Sequence, residues 1–92
     1  MPHVAKIKRL TASGAIKASK GLVYGVTLAA GSDAATVTLE NSTDGSGSDD
    51  LLELAAVANS SEVAMFPAPV WFTTGIYANI TGTAPAVSVL YE

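Results

Sequence analysis

The stretch Gly21-Leu22-Val23-Tyr24-Gly25-Val26-Thr27-Leu28-Ala29-Ala30-Gly31-Ser32-Asp33-Ala34-Ala35-Thr36-Val37-Thr38-Leu39-Glu40 decides the fold class. In its first run Leu22, Tyr24, Val26 and Leu28 alternate with Val23, Gly25, Thr27 and Ala29. In its second run Ala35, Val37 and Leu39 alternate with Thr36, Thr38 and Glu40. Side chains of an extended chain point alternately to opposite faces, so a period of two reads as a half-buried strand with a polar outer face. Gly31-Ser32-Asp33 separates the runs. A short loop containing Gly between two such runs predicts a hairpin.

The pattern continues toward the C-terminus. Val70, Phe72 and Thr74 alternate with Trp71 and Thr73. Ile76, Ala78 and Ile80 alternate with Tyr77, Asn79 and Thr81, and Val87, Val89 and Tyr91 alternate with Ser88 and Leu90. Gly82 to Pro85 predicts a second hairpin between the last two runs. Toward the N-terminus, residues 4–10 and 14–18 read as leading strands with less regular alternation. Asp50-Leu51-Leu52-Glu53-Leu54-Ala55-Ala56-Val57-Ala58 has high helix propensity and an Asp to cap it, but spans only about two turns, too short for a helix to stand on its own. Leu52, Leu54 and Ala56 share a strand face, and we read the segment as a strand with helix as the alternative. The result is an all-β chain of about seven to eight short strands, forming a small antiparallel β-sandwich of Ig-like or jelly-roll-like kind. Residues 1–20 form a basic N-terminal arm or first strand, and residues 21–92 form the sandwich domain. The expected core is Leu22, Tyr24, Val26, Val37, Leu39, Phe72, Ile76, Ile80, Val87 and Val89, with Asn41 to Asp50 as an exposed acidic connection.

Composition excludes several classes. The 92 residues suffice for one domain with one modest core. Apolar residues make up 49% and charged residues 14%, with mean hydropathy +0.38, which is not the composition of a disordered chain. No run approaches the ~18 apolar residues of a membrane helix, and Met1-Pro2-His3-Val4-Ala5-Lys6 lacks the apolar segment of a secretory signal. Cysteine is absent, which removes disulfide scaffolds, thiolate metal sites and thiol catalysis. A reducing cytoplasm is the expected place of synthesis.

The charge is unevenly placed. All five basic residues, Lys6, Lys8, Arg9, Lys17 and Lys20, precede Gly21, and all eight acids follow it, so segments of +5 and −8 give the net −3. This suggests a basic segment that docks on an acidic partner, a copy of the same body included; the alternative is a solvated strand with ordinary surface lysines. The basic segment has no aromatic residue for stacking on bases, so nucleic acid is not an expected partner.

No catalytic set emerges. His3 is the single histidine and lies at the terminus, where nothing positions it between a nucleophile and a carboxylate. The acids cluster in one loop rather than facing each other across a cleft. Asp44-Gly45-Ser46-Gly47-Ser48-Asp49-Asp50 places oxygen donors at alternate positions but fails the EF-hand pattern, which needs Gly at its sixth position and a closing Glu; it reads as a solvated loop. Asn41, Asn59 and Asn79 open glycosylation sequons that matter only in a secretory context. We expect no enzyme activity, cofactor or metal. Trp71, with Phe66 and Phe72, reads first as core, then as interface, then as a ligand-stacking platform.

Residues Gly21-Leu22-Val23-Tyr24-Gly25-Val26, Ala35-Thr36-Val37-Thr38-Leu39 and the Ser/Gly-rich turn, followed by Phe66-Pro67, Phe72-Thr73-Thr74-Gly75-Ile76-Tyr77, Ile80-Thr81-Gly82-Thr83 and Val87-Ser88-Val89-Leu90-Tyr91, carry a resemblance. This stretch resembles a family of small structural proteins of tailed bacteriophages, found alongside head and tail genes. It departs from that family at Asp49-Asp50-Leu51, where the usual turn carries a Gly near its start. The resemblance implies a non-enzymatic virion component made in the host cytoplasm. The leading expectation is a capsid decoration or cement protein that contacts major capsid protein, other virion proteins or sister copies, as an oligomer or lattice component. The alternatives are a tail, collar or head-fibre module and a carbohydrate-binding adhesion module. The expected contact residues are Lys6, Lys8, Arg9, Lys17, Lys20 and Trp71.

Overall fold

In a computed structural model describing residues 5–46 and 49–92, the strands are β1 (Lys6–Leu10), β2 (Gly14–Lys17), β3 (Gly21–Ala29), β4 (Ala35–Glu40), β5 (Asp50–Ala56), β6 (Ser61–Phe72), β7 (Ile76–Thr81) and β8 (Ala86–Tyr91). No helix occurs among the described residues. Two four-stranded sheets, ordered β1-β8-β3-β6 and β2-β7-β4-β5, pair antiparallel throughout. They form the small antiparallel β-sandwich expected from the alternation. We call them sheet A and sheet B. The 50–58 segment is strand β5, paired with β4 from Ala35↔Ala56 to Glu40↔Asp50. A helix of two turns is marginal on its own, whereas β4 offers a ladder that is regular from Ala35↔Ala56 to Leu39↔Leu52.

Each connection except β4–β5 carries the chain from one sheet to the other. The two expected hairpins are therefore absent. β3 belongs to sheet A and β4 to sheet B, and β7 belongs to sheet B and β8 to sheet A. Both short loops are arches that span the core at the same end of the sandwich. They lean on each other: Thr83 Oγ1 donates to Asp33 Oδ2 at 2.5 Å, and a Cβ added at Gly31 would collide with the Thr83 carbonyl oxygen. Gly82 turns its arch at φ +120°, where a side chain would also strike Ala35. The β5–β6 turn joins this end, with the Asn59 N–H bonded to the Gly31 carbonyl at 2.8 Å and the Ala30 N–H to the Ser60 carbonyl at 2.8 Å.

The core lies between the sheets. Val23, Val26, Leu28 and Phe72 with Val87 and Val89 of sheet A meet Ile16, Val37, Leu39, Ile76 and Ala78 of sheet B. Each large side chain buried here contributes roughly 1.5–3 kcal/mol relative to exposure. Two expected members of the core, Leu22 and Tyr24, are only half-buried, and Val23 is buried in their place. The cause is a β-bulge. Val23 pairs with Tyr91 and Gly25 with the adjacent Leu90, so Tyr24 is an extra residue that inverts the alternation along β3. Ile80 is half-buried and packs on the core from its rim.

Candidate functional site

Within residues 6–17 lie two strands, as read for 4–10 and 14–18. β1 and β2 are the edge strands of sheets A and B, joined by residues 11–13 and fixed by Ser13, whose Oγ accepts from the Ile80 N–H at 2.8 Å. Lys6, Lys8 and Arg9 on β1 are exposed, Lys17 on β2 is half-buried, and Lys20 is exposed in the connection to β3. Four of the five basic residues, Lys6, Lys8, Arg9 and Lys17, therefore share one lateral side of the sandwich. The opposite side is made of β5 and β6 and carries Asp49, Asp50, Glu53 and Glu62, all exposed. Trp71 is on that opposite side. The structure thus gathers Lys6, Lys8, Arg9 and Lys17 and separates Trp71 from them by the width of sheet A, while Lys20 adjoins Gly21, the partner of Phe72, at the Trp71 end of β3.

Trp71 is not part of the core. It pairs with Leu22 across strands, points outward from sheet A and is 51% exposed, while its neighbour Phe72 is fully buried. Strand alternation sends consecutive aromatics to opposite faces, so one residue enters the core and the other cannot. Phe66 is half-buried beside the core.

The outer faces of the two sheets differ in chemistry. Cross-strand register aligns Ile7, Leu90, Gly25 and Met65 in one row across sheet A, and Arg9, Ser88, Thr27 and Val63 in the next. Ile7, Met65 and Val63 are exposed by 71%, 60% and 61% of their surface. Gly25 lacks a side chain, and Met65 lies across it: a Cβ there would collide with the Met65 Sδ. The result is a shallow apolar groove of about 140 Å³, walled by Ile7, Met65 and Leu90 over Gly25 and Thr27. With Leu22 and Trp71 the apolar surface extends along β3 and β6. Contiguous exposed apolar surface of this kind marks contact sites on soluble proteins.

The outer face of sheet B is polar and internally bonded. Thr36 and Thr81 hydroxyls meet at 2.6 Å across β4 and β7, and Thr38 Oγ1 donates to Glu53 Oε2 at 3.4 Å. Glu40 follows Thr36 and Thr38 on this face yet is buried, because the loop after β4 folds back with Gly45 packed on the Tyr77 ring beside it. Glu40 Oε2 accepts from Asn79 Nδ2 at 2.7 Å, and Oε1 has no partner.

The loop itself is tied by its own side chains. Asn41 Nδ2 donates to Asp49 Oδ2 at 3.1 Å and Thr73 Oγ1 at 2.9 Å, and its Oδ1 accepts from the Thr74 N–H at 2.8 Å. Asp44 Oδ1 accepts from the Ser46 hydroxyl at 2.6 Å, the Ser46 N–H at 2.9 Å and the Ser42 hydroxyl at 3.3 Å. These donors, the Ser46 hydroxyl foremost, hold the Asp44 carboxyl below its usual 3.8. Its oxygens serve the turn, and no group of three His, Asp or Glu side chains converges as a metal would require among the described residues. His3, Val4, Gly47 and Ser48 lie outside the described residues.

Comparison with protein-family models, with curated proteins and with solved structures finds no match to this chain.

Proposed function

We propose that this chain is a non-enzymatic structural protein that works by docking the outer face of sheet A on a larger protein surface. Its finer role is a decoration protein of a tailed-phage head, seated on major capsid protein, made in the host cytoplasm and carried in the virion. The observation that carries the docking reading is the contrast between the two faces. Sheet A presents Ile7, Val63, Met65 and Trp71 to solvent, while sheet B presents Thr36, Thr38 and Thr81, whose hydroxyls are bonded across strands, and a single exposed large apolar side chain, Leu51 of β5, among the described residues. Exposed apolar side chains gain roughly 25 cal/mol for each Å² they bury, so the partner belongs on sheet A. The phage context is supported by the sequence resemblance across residues 21–92.

The test uses shells or particles lacking the chain. Wild-type protein is added back, alongside Met65→Lys/Trp71→Lys on sheet A and Thr38→Lys on sheet B. The reading expects wild type and Thr38→Lys to bind and the sheet A variant to lose binding. Equal binding by all three overturns the docking face, and no binding by any overturns the head role.

The exposure of Trp71 also fits a sugar-stacking platform, since a ring open on one face can pack on a pyranose. Its cross-strand neighbour is Leu22 rather than a second ring, which suits a protein contact better. Binding on a glycan array that is lost in Trp71→Ala would favour the sugar reading.

A further inference from the structure

We infer that copies of this chain associate side by side, the β1/β2 edge of one against the β5/β6 edge of the next, in a head-to-tail series. The inference concerns the lateral edges and is independent of what docks on the face of sheet A.

Both sheets end in strands that pair on one side only, β1 and β6 in sheet A and β2 and β5 in sheet B. Edge strands present unpaired N–H and C=O groups and accept a further strand readily. The topology makes the two edges compatible. β1 runs opposite to β8, β8 opposite to β3, and β3 opposite to β6, so β1 and β6 are antiparallel. The same steps through β7 and β4 make β2 and β5 antiparallel. A second copy displaced sideways in the same orientation therefore meets the first with antiparallel strands at both sheets. The lengths agree as well. Pro67 and Pro69 interrupt β6, and its regular pairing with β3 at that end runs over Ser61–Met65, five residues against the five of β1.

Charge selects this pairing over its alternatives. The basic edge carries Lys6, Lys8, Arg9 and Lys17, and the acidic edge Asp50, Glu53 and Glu62. Lys8 ends a row that continues through Val89 and Val26 to Ala64, and Glu62 ends the next row, which starts at Leu10 and passes through Val87 and Leu28. The middle members of both rows are buried in the core. A charge at such an inward-facing edge position opposes edge pairing in general, and opposes it least where the facing edge supplies the opposite charge. β1 against β1 opposes lysines, and β6 against β6 opposes glutamates. In the head-to-tail arrangement Lys8 of one copy lies beside Ala64 of the next and diagonal to Glu62, within reach for an antiparallel pair. Ile7 continues the outer apolar row beside Met65 of the adjacent copy, while Leu10 lies beside Glu62. On sheet B, Gly14 and Ala15 of β2 leave room against Leu52 and Asp50, whose rows they begin. Such a contact is heterologous, so it propagates to a ring or a filament rather than stopping at two copies.

The test is sedimentation of the full chain over a concentration series at low salt. Wild type is expected to form a ladder of species beyond the dimer that recedes in high salt. Two charge reversals divide the edges: Lys6→Glu/Lys8→Glu/Arg9→Glu leaves two acidic edges, and Asp50→Lys/Glu53→Lys/Glu62→Lys leaves two basic ones. Each alone should self-associate at least about tenfold more weakly, and an equimolar mixture should assemble again. Circular dichroism confirms that each variant is folded. Should a reversal fail to fold, Lys8→Cys/Ala64→Cys replaces it. Those positions are three strand spacings apart in one chain, about 14 Å, too far for an internal disulfide, and the chain has no other cysteine. Oxidation should give disulfide-linked multimers. A wild type that stays monomeric at high concentration, reversals that assemble as well as wild type, or an oxidised double-cysteine variant that remains monomeric would each overturn the inference.

Discussion

Asp44 and Asn41 show how single residues organise a segment whose composition reads as featureless. The acidic Ser/Gly stretch suggested a solvated connection or a weak calcium loop. In the structure Asp44 closes a local turn, and its carboxylate is held in the charged form by the Ser46 hydroxyl and N–H. The consequence for pH follows from the sign of the shift. A carboxyl whose folded pKa lies below its unfolded value stabilises the fold above the unfolded pKa, and that stabilisation is lost as pH falls through the folded value. An NMR titration should place Asp44 below 3.8, and Ser46→Ala should move it back toward that value. A midpoint for Asp44 at or above 3.8 in the wild type would contradict the turn geometry. The local sequence separates Asp44 from Asp49 and Asp50 by its Asp-Gly dipeptide, since an Asp carboxylate bonds the N–H two residues on and Gly supplies the positive φ; the Ser42 and Ser46 hydroxyl contacts show only in the structure.

At the level of elements, the strands were legible and their partners were not. Ala35 to Leu39 and Val87 to Tyr91 alternate cleanly and fold as read, while Glu40, read on the polar outer face, is buried. The Gly31 and Gly82 loops have the length and glycine content of hairpin turns, and a sandwich arch uses the same residues. Only the partner strand across the core distinguishes the two, and that information is non-local. The Tyr24 bulge is hidden for a similar reason. Tyr24 continues the apolar pattern, so the inversion that buries Val23 shows only in the pairing with Tyr91 and Leu90. Trp71 reads first as core because large aromatics are usually core residues, although its alternation with Phe72 carries the opposite signal. Asn41 is the device that holds the one true hairpin loop to the β6–β7 turn. Its replacement by Ala should destabilise the fold by about 1–3 kcal/mol. Amide exchange at Thr74, whose N–H bonds to Asn41 Oδ1 at 2.8 Å, should quicken more than at core positions such as Val26. Uniform exchange across the chain would show that Asn41 does not anchor this turn.

The whole molecule is a slab of 41 × 29 × 17 Å with a polar face, an apolar face and two lateral edges of opposite charge. Its core is small, so single core truncations consume a large share of a typical 5–15 kcal/mol stability. Phe72→Ala should lose about 3–5 kcal/mol in denaturant unfolding, whereas Trp71→Ala, on the open face, should change stability far less and act on docking instead. Equal losses would mean that Trp71 is a structural residue after all. The proposal that sheet A docks on a larger protein surface rests on this layout. For the proposed role on a phage head, the most direct measurement is the amount of this chain relative to shell protein, quantified by mass spectrometry, in purified particles whose genome carries its gene. The account predicts a fixed stoichiometric ratio, with many copies per particle, that collapses for particles assembled with Met65→Lys/Trp71→Lys. Absence of the chain from washed particles, or a ratio unchanged by that substitution, would contradict it.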